Sequence, residues 1–336
     1  MRRTLAVLFL LAATSAVAAP GWTPLEITTR PIEEFTIEQP ATPAGTLTFM
    51  GGLSLSSPNR DFGALSGMTI LPDGSVLFIA DTGHWLSLSL VESFGRLVGV
   101  ESGRIAPMLD EAGDEANQKG AADAEGLRLA NDGQSVLVSF EGDHRIMSFP
   151  LGDLALARPV ELPGPTFRGL SGNRGIEAIA VAPLAGPLEG ATVAFSEQAL
   201  DGNGGLRAWV LGGPREGQFS VRRNGQFDVT DAAFLPNGDL FILERQFSLS
   251  AGIAMRIRRL AAADVRPDAM IDGPVVLEDD NLFQIDNMEG MALRPQPDGS
   301  VVITVVSDDN HSLLQRTLLL QFRWEDTAVP LPRQRP

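Results

Sequence analysis

Three glutamates recur in one short phrase of this 336-residue chain. They are Glu125 in Asp123-Ala124-Glu125-Gly126-Leu127, Glu177 in Gly175-Ile176-Glu177-Ala178-Ile179 and Glu289 in Asn287-Met288-Glu289-Gly290-Met291. Each phrase is followed, after a turn or loop, by an apolar run that ends on another acid: Glu141, Glu197 and Asp308. Two further copies lack the glutamate but keep the frame. Ser66-Gly67-Met68 leads to Asp81, and Thr230-Asp231-Ala232 leads to Glu244-Arg245. Carboxylates gathered in one place repel each other unless a cation or protons neutralise them. With no cysteine and three histidines in the chain, such a gathering offers hard oxygen ligands, which suit Ca²⁺ better than transition metals. The candidate ligands are Glu125, Glu177, Glu289, Asp81, Asp308, Glu197 and Glu244. A cation held by Glu125, Glu177 and Glu289 would polarise a substrate and activate water. Arg245 is the candidate for holding an anionic group, with Arg128 and Arg174 as lesser ones. His84, three residues after Asp81, is a candidate general base, and His311 follows Asp308 at the same spacing. Two bland alternatives stay open: glutamates that bond the backbone of neighbouring elements, and an Arg245 that serves only as a salt bridge.

The elements that must position these residues are hairpins. Around Glu125, an apolar strand meets the turn Asn131-Asp132-Gly133, and Ser135 to Phe140 follows as a second strand. Pro72-Asp73-Gly74, Pro236-Asn237-Gly238 and Pro297-Asp298-Gly299 are the corresponding turns elsewhere. Anchors at Ser66, Glu125, Glu177, Thr230 and Glu289 are separated by 59, 52, 53 and 59 residues. A strand-only repeat of that length implies propeller blades. Third strands are expected at Trp85–Leu90, Arg145–Phe149, Leu206–Val210, Ala254–Arg258 and Leu318–Trp324, and the clearest fourth strands at Pro159–Leu162 and Pro274–Leu277. The expected fold is all-β, a single β-propeller of six blades with five as the alternative, in which the N-terminal segment builds an atypical blade and closes the ring against C-terminal strands. The innermost strands then converge on the axis, and each hairpin's two free ends sit side by side at one rim.

Composition limits the function classes. Residues 1–18 read as a signal peptide: Arg2-Arg3, an apolar run from Leu5 to Ala13, then Ala16-Val17-Ala18. The propeller is expected over residues 19–325, with 326–336 a flexible tail. Without Arg2 and Arg3 the chain has 24 basic residues against 42 acidic ones, 24 − 42 = −18. That field disfavours nucleic acid and anionic lipid and attracts cations. No later stretch suits membrane insertion, so a periplasmic or secreted monomer is expected. The Asp201-Gly202-Asn203-Gly204-Gly205 loop has alternate oxygen ligands but lacks the distal acid of an EF-hand, and reads as a plain turn. No nucleophile elbow, phosphate-binding loop or dinucleotide fingerprint occurs.

The ordered set Ser66-Gly67-Met68, Asp81-Thr82, Asp123 to Leu127, Gly175 to Ile179, Asn287 to Met291 and Ser307-Asp308-Asp309-Asn310 resembles the bacterial phytase-like family, described by "esterase-like activity of phytase". The resemblance runs from about Phe49 to Trp324. It implies an exported β-propeller and hydrolysis of phosphoesters or related esters, with calcium by analogy to propeller phytases. The partner is then a small anionic or ester substrate. The rival expectation is a non-catalytic propeller that binds a ligand, a metal ion or an envelope protein at the same rim, and a lactonase with an uncharged substrate is a third.

Overall fold

The computed structural model describes residues 21–37, 44–116, 123–164, 167, 170, 175–248, 252–280 and 282–326. The expected signal peptide, Lys119, Arg174 and most of the expected C-terminal tail lie outside them. The described strands form five sheets arranged as the blades of one propeller, antiparallel throughout except where Met270–Ile271 pairs parallel with Gly217–Arg222 in the third blade. The innermost strands are Leu65–Ile70, Ala124–Leu129, Ile176–Val181, Asp228–Phe234 and Asn287–Pro295, in blades 1 to 5. Each packs against the next, and the fifth packs against the first, so the ring is closed.

Local chemistry explains the hairpins. In four blades the inner strand turns back through an Asx-Gly corner in which the acid or amide caps the chain two residues on: Asp73 accepts from Ser75 N, Asp132 from Gln134 N, Asn237 from Asp239 N and Asp298 from Ser300 N. The glycine that follows has positive φ, between 63° and 91°, a region side chains resist. The second strands, such as Val76–Ala80 and Ser135–Phe140, are runs of apolar and β-branched residues buried on both faces.

The five hydrophobic cores lie between adjacent blades rather than at a common centre. Phe78 and Leu319 share one, Trp85 and Phe149 another, Ile179 and Leu137 a third, Phe219 and Ile242 a fourth, and Phe241 and Ile303 the fifth. Near the axis the inner strands come so close that small residues are needed. A Cβ on Gly67 would lie 2.6 Å from Glu125 O, and one on Gly126 would lie 2.9 Å from Ile179 N.

The six-blade expectation is corrected to five. The described residues between 21 and 56 do not make a sheet of their own. Thr23–Pro24 pairs with the outer strand of blade 1, Ala44–Gly45 extends blade 4, and Thr48–Ser56 hydrogen-bonds to Thr317–Trp324 of blade 5, with Thr28–Ile32 outside it. Existing blade edges, whose backbone groups need partners, recruit these short strands. The expected pairing of N-terminal with C-terminal strands is present, and it completes the fifth blade.

Candidate functional site

Each blade presents three positions at one rim, set by the same backbone arrangement. The end of the second strand bonds back to the residue two before the anchor: Asp81 N to Ala64 O, Glu141 N to Asp123 O and Glu197 N to Gly175 O. In blades 4 and 5 the same neighbours are the pairs Asp228 with Arg245 and Asn287 with Asp308. Between them, every inner strand shifts register by one residue at the anchor: around Ser66, Glu125, Glu177, Thr230 and Glu289. Such bulges re-aim a side chain out of the ladder. Two of the five, Ser66 and Thr230, donate their hydroxyls to the next blade's backbone, at Ala124 O and Met288 O. The three glutamates have no such bond.

The result is a cavity of about 250 Å³ at the head of the axis, lined by Ser66, Asp81, Asp123, Glu125, Glu141, Glu177, Glu197, Arg245, Asn287, Glu289, Asp308 and Asn310. Eight acids face one arginine there, a formal charge of −7. Blade 2 alone has an acid at all three of its rim positions. One carboxylate oxygen each from Asp123, Glu125 and Glu141 lies within 4.8 Å of the others. Calcium–oxygen bonds of about 2.4 Å put opposite ligands about 4.8 Å apart, so this spread suits one Ca²⁺ ion.

Burial dominates the electrostatics. Loss of water holds the Glu125 and Glu177 carboxyls well above the ordinary carboxylate range, reinforced by Glu289 and Glu141 around Glu125 and by Glu125 and Glu197 around Glu177. Burial pushes Glu289 up to about 8 even though Arg245 pulls the other way. It pushes Glu141 to about 7 against the Gly175 N–H, which donates to Glu141 Oε1 at 2.8 Å. Asp308 is pushed to about 6 against the N–H of Asn310. Asp81 and Glu197 move in the same direction, chiefly by burial. Two oxygens, Asp81 Oδ1 and Glu289 Oε2, are buried without a hydrogen-bond partner. Such atoms are expensive unless a proton or cation joins them.

Arg245 is heavily engaged. One guanidinium nitrogen lies 2.9 Å from Glu289 Oε1 and also bonds Asn287 Oδ1, and the other lies 3.1 Å from Glu197 Oε1. Asn287 Nδ2 in turn donates to Glu289 Oε1 at 2.8 Å. The salt-bridge alternative for Arg245 therefore describes its contacts in this state.

Beneath the glutamates the axis is closed. Arg128 reaches across it from blade 2, donating to Met68 O of blade 1 and Ala232 O of blade 4, and pairs with Asp231 at 2.5 Å. Asp231 Oδ2 also accepts from Met291 N of blade 5. Arg128 and Asp231 thus form a septum and do not line the pocket.

The structure gathers Glu125, Glu177, Glu289, Asp81, Asp308, Glu197 and Arg245 around one cavity, whereas the candidates Glu244, His84, Arg128 and His311 do not line it. Glu244 is fully buried on the other face of its strand, paired with Arg256 at 2.8 Å and Arg258 at 2.6 Å. Successive strand residues point to opposite faces, so Arg245 and not Glu244 occupies the rim position. Glu244 is therefore removed from the ligand set. His84 starts the third strand of blade 1, with its Nδ1 3.3 Å from Thr82 Oγ1, and is not a pocket residue. The Asp201 loop is a turn, with Asp201 Oδ1 accepting from Asn203 N and Gly205 N. Asp123 and Glu141 are rim acids that the sequence pattern places nearby without marking them as ligands. The signal that distinguishes them is an acid at every rim position of a single repeat.

Comparison with known family models bears out the family resemblance read from the sequence. Residues 60–311 match the family model described as "Phytase-like: Esterase-like activity of phytase", and the chain belongs to that family. No curated protein matches the sequence. Among solved structures, the chain is similar to the PQQ-bound aldose sugar dehydrogenase of Streptomyces coelicolor, at 12% identity and TM-score 0.46, covering 84% of this chain and 100% of that one. The PQQ domain of pyranose dehydrogenase from Coprinopsis cinerea is similar at 10% identity and TM-score 0.43, covering 90% and 98%. A putative 6-phosphogluconolactonase from Bacteroides uniformis is similar at 14% identity and TM-score 0.35, covering 82% and 79%.

Proposed function

We propose that this member of the phytase-like family is an exported, calcium-dependent hydrolase of phosphoesters or related esters, acting in the acidic pocket at the head of the axis. The observation that carries the reading is the blade 2 cluster, in which Asp123, Glu125 and Glu141 bring three carboxylate oxygens within 4.8 Å. Their donor chemistry, all hard oxygen, fits Ca²⁺. When bound, the cation supplies charge stabilisation to a polarised phosphoryl or acyl oxygen and acidifies a water.

The chain's own residues supply the rest. Glu177 and Glu289, on the neighbouring and opposite sides of the pocket, carry raised proton affinities and serve to take and return the water's proton. One water is consumed: its oxygen joins phosphorus or the acyl carbon, the bond to the alkoxy oxygen breaks, and that oxygen leaves as the alcohol with a proton. Arg245 orients an anionic group once it releases Glu197. The septum of Arg128 and Asp231 keeps the pocket blind, so substrate and product use the one rim. Export is supported by the Arg2-Arg3, apolar and Ala16-Val17-Ala18 pattern of the N-terminus.

The test is turnover of aryl phosphate and aryl ester panels by purified protein, with calcium and after chelation, beside elemental analysis for bound metal. Calcium-dependent turnover that disappears in Glu125→Gln supports the reading. No turnover of either panel at saturating calcium rejects it. A second reading, a non-catalytic propeller that binds a cation or an envelope protein, is favoured by the engagement of Arg245 with Glu289, Asn287 and Glu197, which leaves it no free fork for an anion. Calcium binding without turnover selects that reading.

A further inference from the structure

The rim above the pocket is not uniformly polar. Leu313 and Leu314 are 104% and 93% exposed on the loop after the second strand of blade 5, the same loop that gives Asn310 to the pocket. On blade 4, Phe247 is 64% exposed and lies two residues beyond Arg245. Alternate residues of a strand share a face. Phe247 therefore continues the stripe of Phe241, Leu243 and Arg245, whose apolar members pack in the core shared with blade 5. Blade 3 contributes Leu200, 46% exposed and three residues beyond Glu197.

These side chains form an arc on blades 3, 4 and 5. In a closed ring of five, blades 4 and 5 lie across the axis from blade 2, which holds the carboxylate cluster. The exposed large apolar residues of blades 1 and 2 among the described residues lie elsewhere: Phe94 and Val98 at the far hairpin of blade 1, Leu156 in the short helical turn after Arg145–Pro150, and Val160 on an outer edge strand. Single exposed apolar residues are ordinary on a protein surface, but these share with the open cavity one end of three successive blades, where a ligand seated in the pocket would extend.

We infer that the substrate is amphiphilic: an ester or phosphoester whose polar head enters the pocket at the blade 2 cluster and whose alkyl or aryl group lies on the rim formed by Phe247, Leu313 and Leu314. This rests on the hydrolase reading and adds the substrate class to it. The pocket, with eight carboxylates, offers an alkyl chain no favourable surface. The rim does, and covering it removes apolar area from water. The division also sets the direction in which the substrate lies, with the scissile bond toward blade 2 and the apolar group leaving over blades 4 and 5.

The test uses the calcium-loaded full chain and non-hydrolysable ligands: ethyl-, hexyl- and decylphosphonate, titrated calorimetrically below their micelle concentrations. Affinity should rise along the series by about tenfold in all, a modest share of the transfer free energy of the added methylenes. Leu313→Ser/Leu314→Ser should flatten that rise while calcium titration of the same variant stays unchanged, and Phe247→Ser should reduce it in part. The leucines are fully exposed, so the fold is not at stake. Equal affinities for the three phosphonates in the unsubstituted protein overturn the inference and leave the hydrolase reading standing. A rise that survives both variants overturns it as well, because the apolar group then lies elsewhere. Failure to bind calcium or any phosphonate removes the hydrolase reading itself.

Discussion

Buried carboxylates at two levels of the same axis are in opposite circumstances. At the septum, Asp231 is enclosed and complete: Oδ1 takes Arg128 and the Ala232 N–H, and Oδ2 takes the Met291 N–H. Burial still lifts its pKa to about 6, yet it faces a guanidinium at 2.5 Å. One level above, eight carboxylates share Arg245, and Glu289 Oε2 has no partner at all. Burial thus has two outcomes, decided by the count of donors. A closed ion pair ties blades together, whereas an open cluster is poised to accept a cation or protons.

The largest effect should come from breaking the closed pair. Arg128→Ala leaves Asp231 buried without its guanidinium and should cost about 3–5 kcal/mol in urea unfolding. A loss under about 1 kcal/mol would erase the distinction between the two levels. Next is calcium itself: at about a hundred times its dissociation constant, it should stabilise the protein by about 2.7 kcal/mol. Thermal midpoints of Glu125→Gln should show no such gain. Glu244→Gln is the control between the levels, since Glu244 is buried, as Glu177 and Glu289 are, but fully paired with Arg256 and Arg258. It should cost about 1.5–3 kcal/mol, the worth of a hydrogen bond to a charged group, and leave calcium titration unchanged.

The smallest effect is a pH slope. Glu289 binds its proton up to about pH 8 in the folded, metal-free protein, against an ordinary value of 4.5. Below that ordinary value both folded and unfolded states carry the proton, and the contribution to stability is full. As pH rises toward 8 the unfolded chain gives up its proton first, so stability falls. Taken as the difference between the native chain and Glu289→Gln, the fall should be about 1–2 kcal/mol, and saturating calcium should abolish it. A rise in that difference over the same range would break the assignment of Glu289 to the open cluster.

Much of this was readable before any coordinates. The repeat at Ser66, Glu125, Glu177, Thr230 and Glu289 marks the five inner strands, because a hairpin is a local event, closed in four of the blades by an Asx-Gly corner written in adjacent residues. Local patterning also marks the third strands, such as Leu206 to Val210 within Gly205–Leu211. It could not choose five blades over six, since the fate of residues 21–56 depends on which distant edges have free backbone groups. Nor could it choose between Glu244 and Arg245. Both faces of that strand are apolar and buried up to Glu244, so only the packing shows which face turns to the rim, with Glu244 against Arg256 and Arg258 and Arg245 in the pocket. The septum was equally hidden: Arg128 looks like a neighbour of Glu125, and only the closed ring shows it crossing to Met68 O and Ala232 O.

The amino-acid order therefore determined which side chains each hairpin holds at its open end, because turn geometry and strand alternation act over a few residues. Tertiary structure alone decided that the acids of blades 1, 2, 3 and 5 face one cavity while Asp231 is neutralised by an arginine from another blade. The physical reason is that a carboxylate's role follows from the donors within hydrogen-bond reach, and in a ring those donors come from blades distant in sequence, as Arg128 and Asp231 are 103 residues apart.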